Sequence, residues 1–209
     1  MYLEKTLQQY LDDLASSQPT PGGGSAAALS GAMGAGLASM VARLTLGKKG
    51  YEDVQSEIES LITETEQLRT RFQQLMQEDI EAYGRLSECF KMPRSNDEEK
   101  QVRSEAIQAR LGEAALVPLE VAESAAQLAR LCQRIAEIGN KKVLSDIATG
   151  TMLASSAGTG ASWMVRTNLM SMKDEKHILA LSDRLNAALE AIATHSQRVI
   201  ELVGGESDA

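Results

Sequence analysis

The stretch Pro19-Thr20-Pro21-Gly22-Gly23-Gly24-Ser25-Ala26-Ala27-Ala28-Leu29 decides how the rest of the chain reads. Proline fixes φ and pushes the residue before it out of the right-handed helical region, so Gln18 to Pro21 is expected to be extended. Three glycines then allow a sharp turn with backbone N–H groups facing inward, and Ser25 is the expected N-cap of a helix. From Ser25 to Ala42 no charged residue occurs, and Ala27, Gly31, Ala35 and Ser39 recur every four positions. That pattern predicts a helix over about 25–46 whose small-residue strip admits a second backbone at close range. A glycine turn opening a helix also offers free amides and a positive dipole end to an anionic or carbonyl-bearing ligand. The same glycines would serve equally as a sharp turn into a tightly packed helix.

Outward from this helix the apolar period stays helical. Leu3, Leu7, Tyr10, Leu11 and Leu14 predict an amphipathic helix over about 3–16. A second, over about 51–90, alternates steps of four and three through Val54, Ile58, Leu61, Thr65, Leu68, Phe72, Leu75, Asp79, Ala82 and Leu86. A sustained 3.5-residue repeat of this kind implies near-antiparallel bundle packing. After a polar connector at 91–97, a helix over about 98–138 carries Ile107, Leu111, Ala114, Pro118, Val121, Ala125, Leu128, Cys132 and Ile135 on its seam. Pro118 should kink it, at a cost of about 3 kcal/mol unless the carbonyl it frees finds another donor. A fifth helix from about Ser145 repeats the small-residue strip at Gly150, Ala154, Gly158 and Ser162, so it should touch the glycine-rich helix directly. The last, over about 174–203, has the seam Ile178, Leu181, Leu185, Ala188, Ile192, His195 and Val199, and the tail 204–209 is expected to fray. No segment reads as a strand. The expected fold is an all-α bundle of about six helices in one domain spanning 1–209, dimeric because the longest helices outrun a compact domain of this size.

Composition narrows the function. A formal charge of −8 argues against a nucleic-acid partner. Cys89 and Cys132 sit among apolar helical residues and read as buried free thiols of a cytoplasmic protein. Two histidines with no Cys/His cluster make no usual metal site. The uncharged run 25–42 is short for a membrane span and rich in Gly, Ala and Ser, so no membrane partner is expected.

Few residues are placed for chemistry. Asp79 interrupts an apolar seam, where a carboxylate is either paired with a cation or desolvated with a raised pKa. Ser145-Asp146 reads as an N-cap with an acidic first turn, or as a second carboxylate for acid–base work. Lys48-Lys49 and Lys141-Lys142 are paired cations in an acidic chain and suit an anionic substrate tail. His195 on an apolar face reads first as a core histidine.

Three stretches together resemble the cyclodeaminase/cyclohydrolase family of folate enzymes: residues 19–29 quoted above, Met40-Val41-Ala42-Arg43-Leu44-Thr45-Leu46-Gly47-Lys48-Lys49, and Gly139-Asn140-Lys141-Lys142-Val143-Leu144-Ser145-Asp146. Asp79-Ile80-Glu81-Ala82-Tyr83 and Val165-Arg166-Thr167-Asn168-Leu169 fit the same family. The resemblance implies an all-helical homodimer acting on a one-carbon tetrahydrofolate, possible in polyglutamylated form, with no metal or organic cofactor. It implies 5-formimidoyltetrahydrofolate cyclodeaminase activity, with methenyltetrahydrofolate cyclohydrolase activity or non-catalytic folate binding as the alternatives. Carried over residue by residue, Asp79 and Asp146 become the acid–base pair. Pro21, Gly22, Gly23, Gly24, Ser25, Ser145 and Asn168 line the folate, and Lys48 and Lys49 meet its glutamate tail.

Overall fold

The computed structural model describes residues 2–204, so the tail beyond Gly204 lies outside the described residues. These residues form six α-helices and no strand: α1 (Leu7–Leu14), α2 (Gly23–Arg43), α3 (Gln55–Phe90), α4 (Asp97–Ile138), α5 (Leu144–Leu169) and α6 (Glu175–Gly204). Single 3₁₀ turns at Tyr2–Glu4, Glu52–Val54 and Lys141–Val143 lead into α1, α3 and α5. The glycine-rich α2 packs on α3, α4 and α5, while α4 packs on α2, α3, α5 and α6.

The predicted seams are the core. Ile58, Leu61, Thr65, Leu68, Phe72, Leu75, Ala82 and Leu86 of α3 are buried, as are Leu111 through Ile135 on the α4 seam and Leu181, Leu185, Ala188, Ile192 and Val199 of α6. With so few aromatic rings, close backbone approach supplies much of the contact. A Cβ at Gly34 would lie 2.8 Å from the Gly150 carbonyl oxygen, and one at Gly150 would lie 3.2 Å from the Gly34 oxygen. The two small-residue strips therefore touch, and the Oγ of Ser30 donates to the Leu153 carbonyl beside that contact (3.0 Å). Arg71 ties α3 to α4 with a bidentate bond to Glu120 (2.6 and 2.8 Å) while also holding Glu78 (2.6 and 3.0 Å).

Three expectations at helix ends are corrected. The N-terminal helix covers only Leu7–Leu14, started by a Thr6/Gln9 capping box, and Leu3, Leu7 and Leu11 face outward while Tyr10 alone is buried. Ser25 does not cap α2: the helix begins at Gly23 after an extended Gly22, and a cis peptide joins Thr20 to Pro21. Ser145 does not cap α5 either, because the 3₁₀ turn capped by Asn140 carries the chain straight into Leu144.

Candidate active site

Asp79 breaks the α3 seam where the seam meets the first turn of α2. Gly22 supplies no side chain to cap that turn. Asp79 reaches across from α3 and its Oδ2 accepts the Ser25 backbone N–H (2.9 Å). A carboxylate thus caps α2 from another helix and sits at the positive end of its dipole. The approach requires glycine at position 24, since a Cβ there would overlap Asp79 Oδ1. Burial raises the Asp79 pKa above its ordinary value and the Ser25 N–H opposes that rise; burial prevails. Below this pair, the Ser25 hydroxyl meets the hydroxyl of buried Tyr10 (3.2 Å), whose own pKa burial raises.

Asp79 lines a pocket of about 320 Å³, near the lower end of the range for small-molecule sites (about 300–1,000 Å³). Pro19, Thr20 and Gly22 to Gly24 form one wall; Ala82, Tyr83, Leu86 and Phe90 of α3 form the second. Leu111 and Ala114 of α4 close the back, and Met164, Thr167 and Asn168 of α5 with Ser171 just past its end complete it. None of these lining residues is a lysine, arginine or histidine.

Asn168 is held by a consequence of Pro118. Proline has no N–H, so the carbonyl four residues earlier, that of Ala114, loses its helical donor. The α4 helix nevertheless runs on without a break. The Asn168 Nδ2 donates to the Ala114 oxygen (3.1 Å) and to the Met164 oxygen (3.0 Å). Both of its amide hydrogens are used, which leaves its Oδ1 as an acceptor for a ligand.

The structure brings Gly22, Gly23, Gly24, Asp79 and Asn168 to one pocket, with Ser25 contributing its N–H and Pro21 buried just behind. It does not bring Lys48, Lys49, Ser145 or Asp146 there. Those four lie past the opposite end of α2, about 30 Å away at 1.5 Å per residue. That corner is heavily braced: Thr45 Oγ1 donates to the Val41 carbonyl and accepts from Asn140 N–H, and Asn140 Nδ2 donates to the Leu44 carbonyl. Gly47 and Gly50 take positive φ to turn the chain into α3. His195 meets Gln133 (2.8 Å) between α6 and α4, away from the pocket. Cys132 is buried and its thiol is pushed up to about 12, which removes it as a nucleophile.

Residues 6–187 match the formiminotransferase-cyclodeaminase family. The chain belongs to that family. It is 35% identical over 199 residues to a methenyltetrahydrofolate cyclohydrolase of Methylorubrum extorquens, covering 95% of this chain and 96% of that one. It is 30% identical over 198 residues to the formimidoyltransferase-cyclodeaminase of Mus musculus, where it covers 95% of this chain and 37% of the mouse protein. The chain therefore spans little more than a third of that relative. The crystal structure of a formiminotetrahydrofolate cyclodeaminase from Thermotoga maritima superposes with a TM-score of 0.90 at 31% identity, over 99% of this chain and 100% of that one. As a member of this family of folate enzymes, the chain has its Asp79 pocket in a fold shared with cyclodeaminases and a cyclohydrolase.

Several pocket residues escaped the sequence reading. Tyr83 had a signal, since it stands one helical turn after Asp79 and shares its face. Tyr10 had only its place on an amphipathic seam. Thr167 had only its place in the stretch Val165–Leu169, and Phe90, Met164 and Ser171 had none, because each becomes a lining residue through packing between distant helices.

Proposed function

We propose that this protein is a 5-formimidoyltetrahydrofolate cyclodeaminase. The observation that carries the reading is the half-buried Asp79 carboxyl at the floor of an apolar pocket, with its pKa raised by burial and no cation to hold it ionised. In the reaction, N10 of the folate attacks the formimidoyl carbon on N5 and forms a tetrahedral carbon between the two nitrogens. The imino nitrogen leaves as ammonia after gaining two protons, one relayed from N10 and one from an acid that ends ionised, as the methenyl bridge closes. A carboxyl whose pKa burial raises suits both tasks, delivery to the departing nitrogen and relay of the N10 proton. The carboxylate then faces the cationic N5–CH–N10 bridge, which needs a negative neighbour. The Asn168 Oδ1 and the Gly22–Gly24 backbone supply directional contacts to the ring. No cofactor enters this reading.

A second reading, methenyltetrahydrofolate cyclohydrolase, is favoured by the Methylorubrum relative, which matches this chain over nearly its whole length. There the same carboxylate would draw a proton from water adding to the bridge, and the ring would open to 10-formyltetrahydrofolate. One absorbance assay separates the two. Supplied with 5-formimidoyltetrahydrofolate, a cyclodeaminase builds up the methenyl chromophore and releases ammonia. Supplied with 5,10-methenyltetrahydrofolate, a cyclohydrolase bleaches that chromophore faster than buffer does. If the protein does neither, both readings fall and folate binding alone is left to be tested by thermal shift.

A further inference from the structure

Aromatic rings are scarce in this chain, and the fold engages all but two of them. The chain has four tyrosines, two phenylalanines and one tryptophan. Tyr2 and Tyr10 pack edge to face, Phe72 is fully buried, the Tyr51 hydroxyl accepts the Lys141 N–H, and Trp163 stacks with the Arg166 guanidinium. Tyr83 and Phe90 remain. Among the described residues neither side chain has a hydrogen-bond, aromatic or cationic partner, and the two residues stay 40% and 48% exposed. Both line the Asp79 pocket. Unpartnered rings in the wall of a small apolar cavity offer a contact surface to a flat ligand.

The pocket is a slot whose two ends differ. Gly24 lies against Asp79 and Gly23 against Met164, and both α3 and α5 run antiparallel to α2, so both leave the glycine turn there and continue outward side by side. The inner end gathers the polar groups: the Gly22–Gly24 backbone, the Asp79 carboxyl and, one turn along α5, the free Oδ1 of Asn168. Outward along α3 the character changes. Tyr83 stands one turn and Phe90 three turns past Asp79 on the same face, about 6 Å and about 16 Å along the axis, with Leu86 between them. Opposite, the Ser171 carbonyl accepts from Gln108 of α4, which places Leu111 toward this outer end as well.

A substrate with a polar bicyclic ring on one side of its reacting carbon and a plain aryl ring on the other fits such a slot in one direction. We infer that the pterin sits inward, its hydrogen-bonding edge on the glycine backbone and Asn168 Oδ1, and that the aminobenzoyl ring lies outward along α3 against Tyr83 and Phe90. This rests on the folate reading. Tyr83, one turn from the acid, borders the N10 end of the aryl ring, and Phe90 borders its far end, so these two rings select the aryl group. The reverse order would set the pterin donors and acceptors against Leu86, Phe90 and Leu111, where they would be desolvated without partners.

The tests use the full chain and 5-formyltetrahydrofolate, a stable analogue that carries both rings. Phe90 shares its residue type only with Phe72, which is fully buried, so a ring-labelled phenylalanine reports what touches Phe90. Nuclear Overhauser effects should join the aminobenzoyl protons to the Phe90 ring, and none should come from the ring methylene protons of the reduced pterin. Phe90→Ala and Tyr83→Ala, both at exposed positions, should keep the helical circular dichroism and weaken binding of the analogue by about tenfold each. Tyr83→Phe, which keeps the ring, should bind as the wild type does. Pterin contacts at Phe90, bound analogue with no contact there, undiminished affinity in either alanine variant, or a Tyr83→Phe loss equal to that of Tyr83→Ala would each overturn the inference and leave the folate reading standing. A wild type that does not bind the analogue at all would sink the folate reading, and the ring order with it.

Discussion

The two ends of α2 solve the same problem in opposite ways. At its C-terminal end the chain is tied by neutral side chains: Thr45, Gln55 and Tyr51 from nearby and Asn140 from the turn before α5 satisfy backbone groups there. At its N-terminal end no local side chain caps the helix, and the task falls to a carboxylate from α3. The first arrangement spends polar groups on rigidity. The second leaves a desolvated acid beside a cavity. On the proposed function, reactivity belongs to the end whose cap is a desolvated carboxylate, while the end braced by neutral groups has only cations to offer.

The largest effect should come from removing the acid. Asp79→Asn keeps an acceptor for Ser25 N–H but cannot exchange protons, so turnover should fall about 10²-fold or more, with the melting temperature unchanged or raised. Normal turnover in the folded variant would reduce Asp79 to a cap. Next is the glycine contrast. Gly24→Ala drives a Cβ into the Asp79 carboxyl, whereas at Gly23 an added Cβ meets only the flexible Met164 side chain at 3.4 Å. Turnover should drop by about tenfold or more in the first and stay near wild type in the second. Equal losses would mean that the turn acts as a whole rather than through Asp79.

A third test pits stability against function. Pro118→Ala returns an N–H to α4, lets Ala114 recover its helical donor and releases Asn168. The melting temperature should rise, since an interior helical proline costs up to about 3 kcal/mol, while KM rises several-fold with kcat less affected. Unchanged KM would show that Asn168 does not need its tether. The smallest effect is on pH. Folded Asp79 holds its proton to higher pH than the unfolded chain does, starting from the ordinary value of 3.8. The folded form thus binds more protons in that window, and stability should fall as pH rises through it. Denaturant midpoints across this range should show that slope in the wild type and a flatter one in Asp79→Asn.

Much of this fold was legible because 3.5- and 3.6-residue periods are written directly in α3, α4 and α6. Asp79 was legible as a break in one of them. Its role as a cap was not, because it depends on Gly22 lacking a side chain and on two helices meeting 54 residues apart. Ser25 and Ser145 misled for the converse reason: serine before an apolar run signals a cap locally, but here a preceding extended glycine and a 3₁₀ turn had already set the helix starts. The α1 leucines show a helical period whose covering partner lies outside the single chain or is simply water. The proline in α4 announced a vacant carbonyl, and only the fold could say that Asn168 fills it.

The glycine contact between α2 and α5 bears on how a ligand gets in. A Cβ added at Gly34 would lie 3.3 Å from Leu153 Cβ, so the two helices touch with no side chain between them to rearrange. Gly22 to Gly24 and the Met164–Asn168 wall belong to these two closely packed helices, which leave little room for one to shift against the other. The remaining rim is built on connecting segments, the 15–21 loop that carries Pro19 and Thr20 and the connector that follows Phe90. A floor built on packed helices and a rim built on connecting segments would place gating and chemistry in separate parts of the chain.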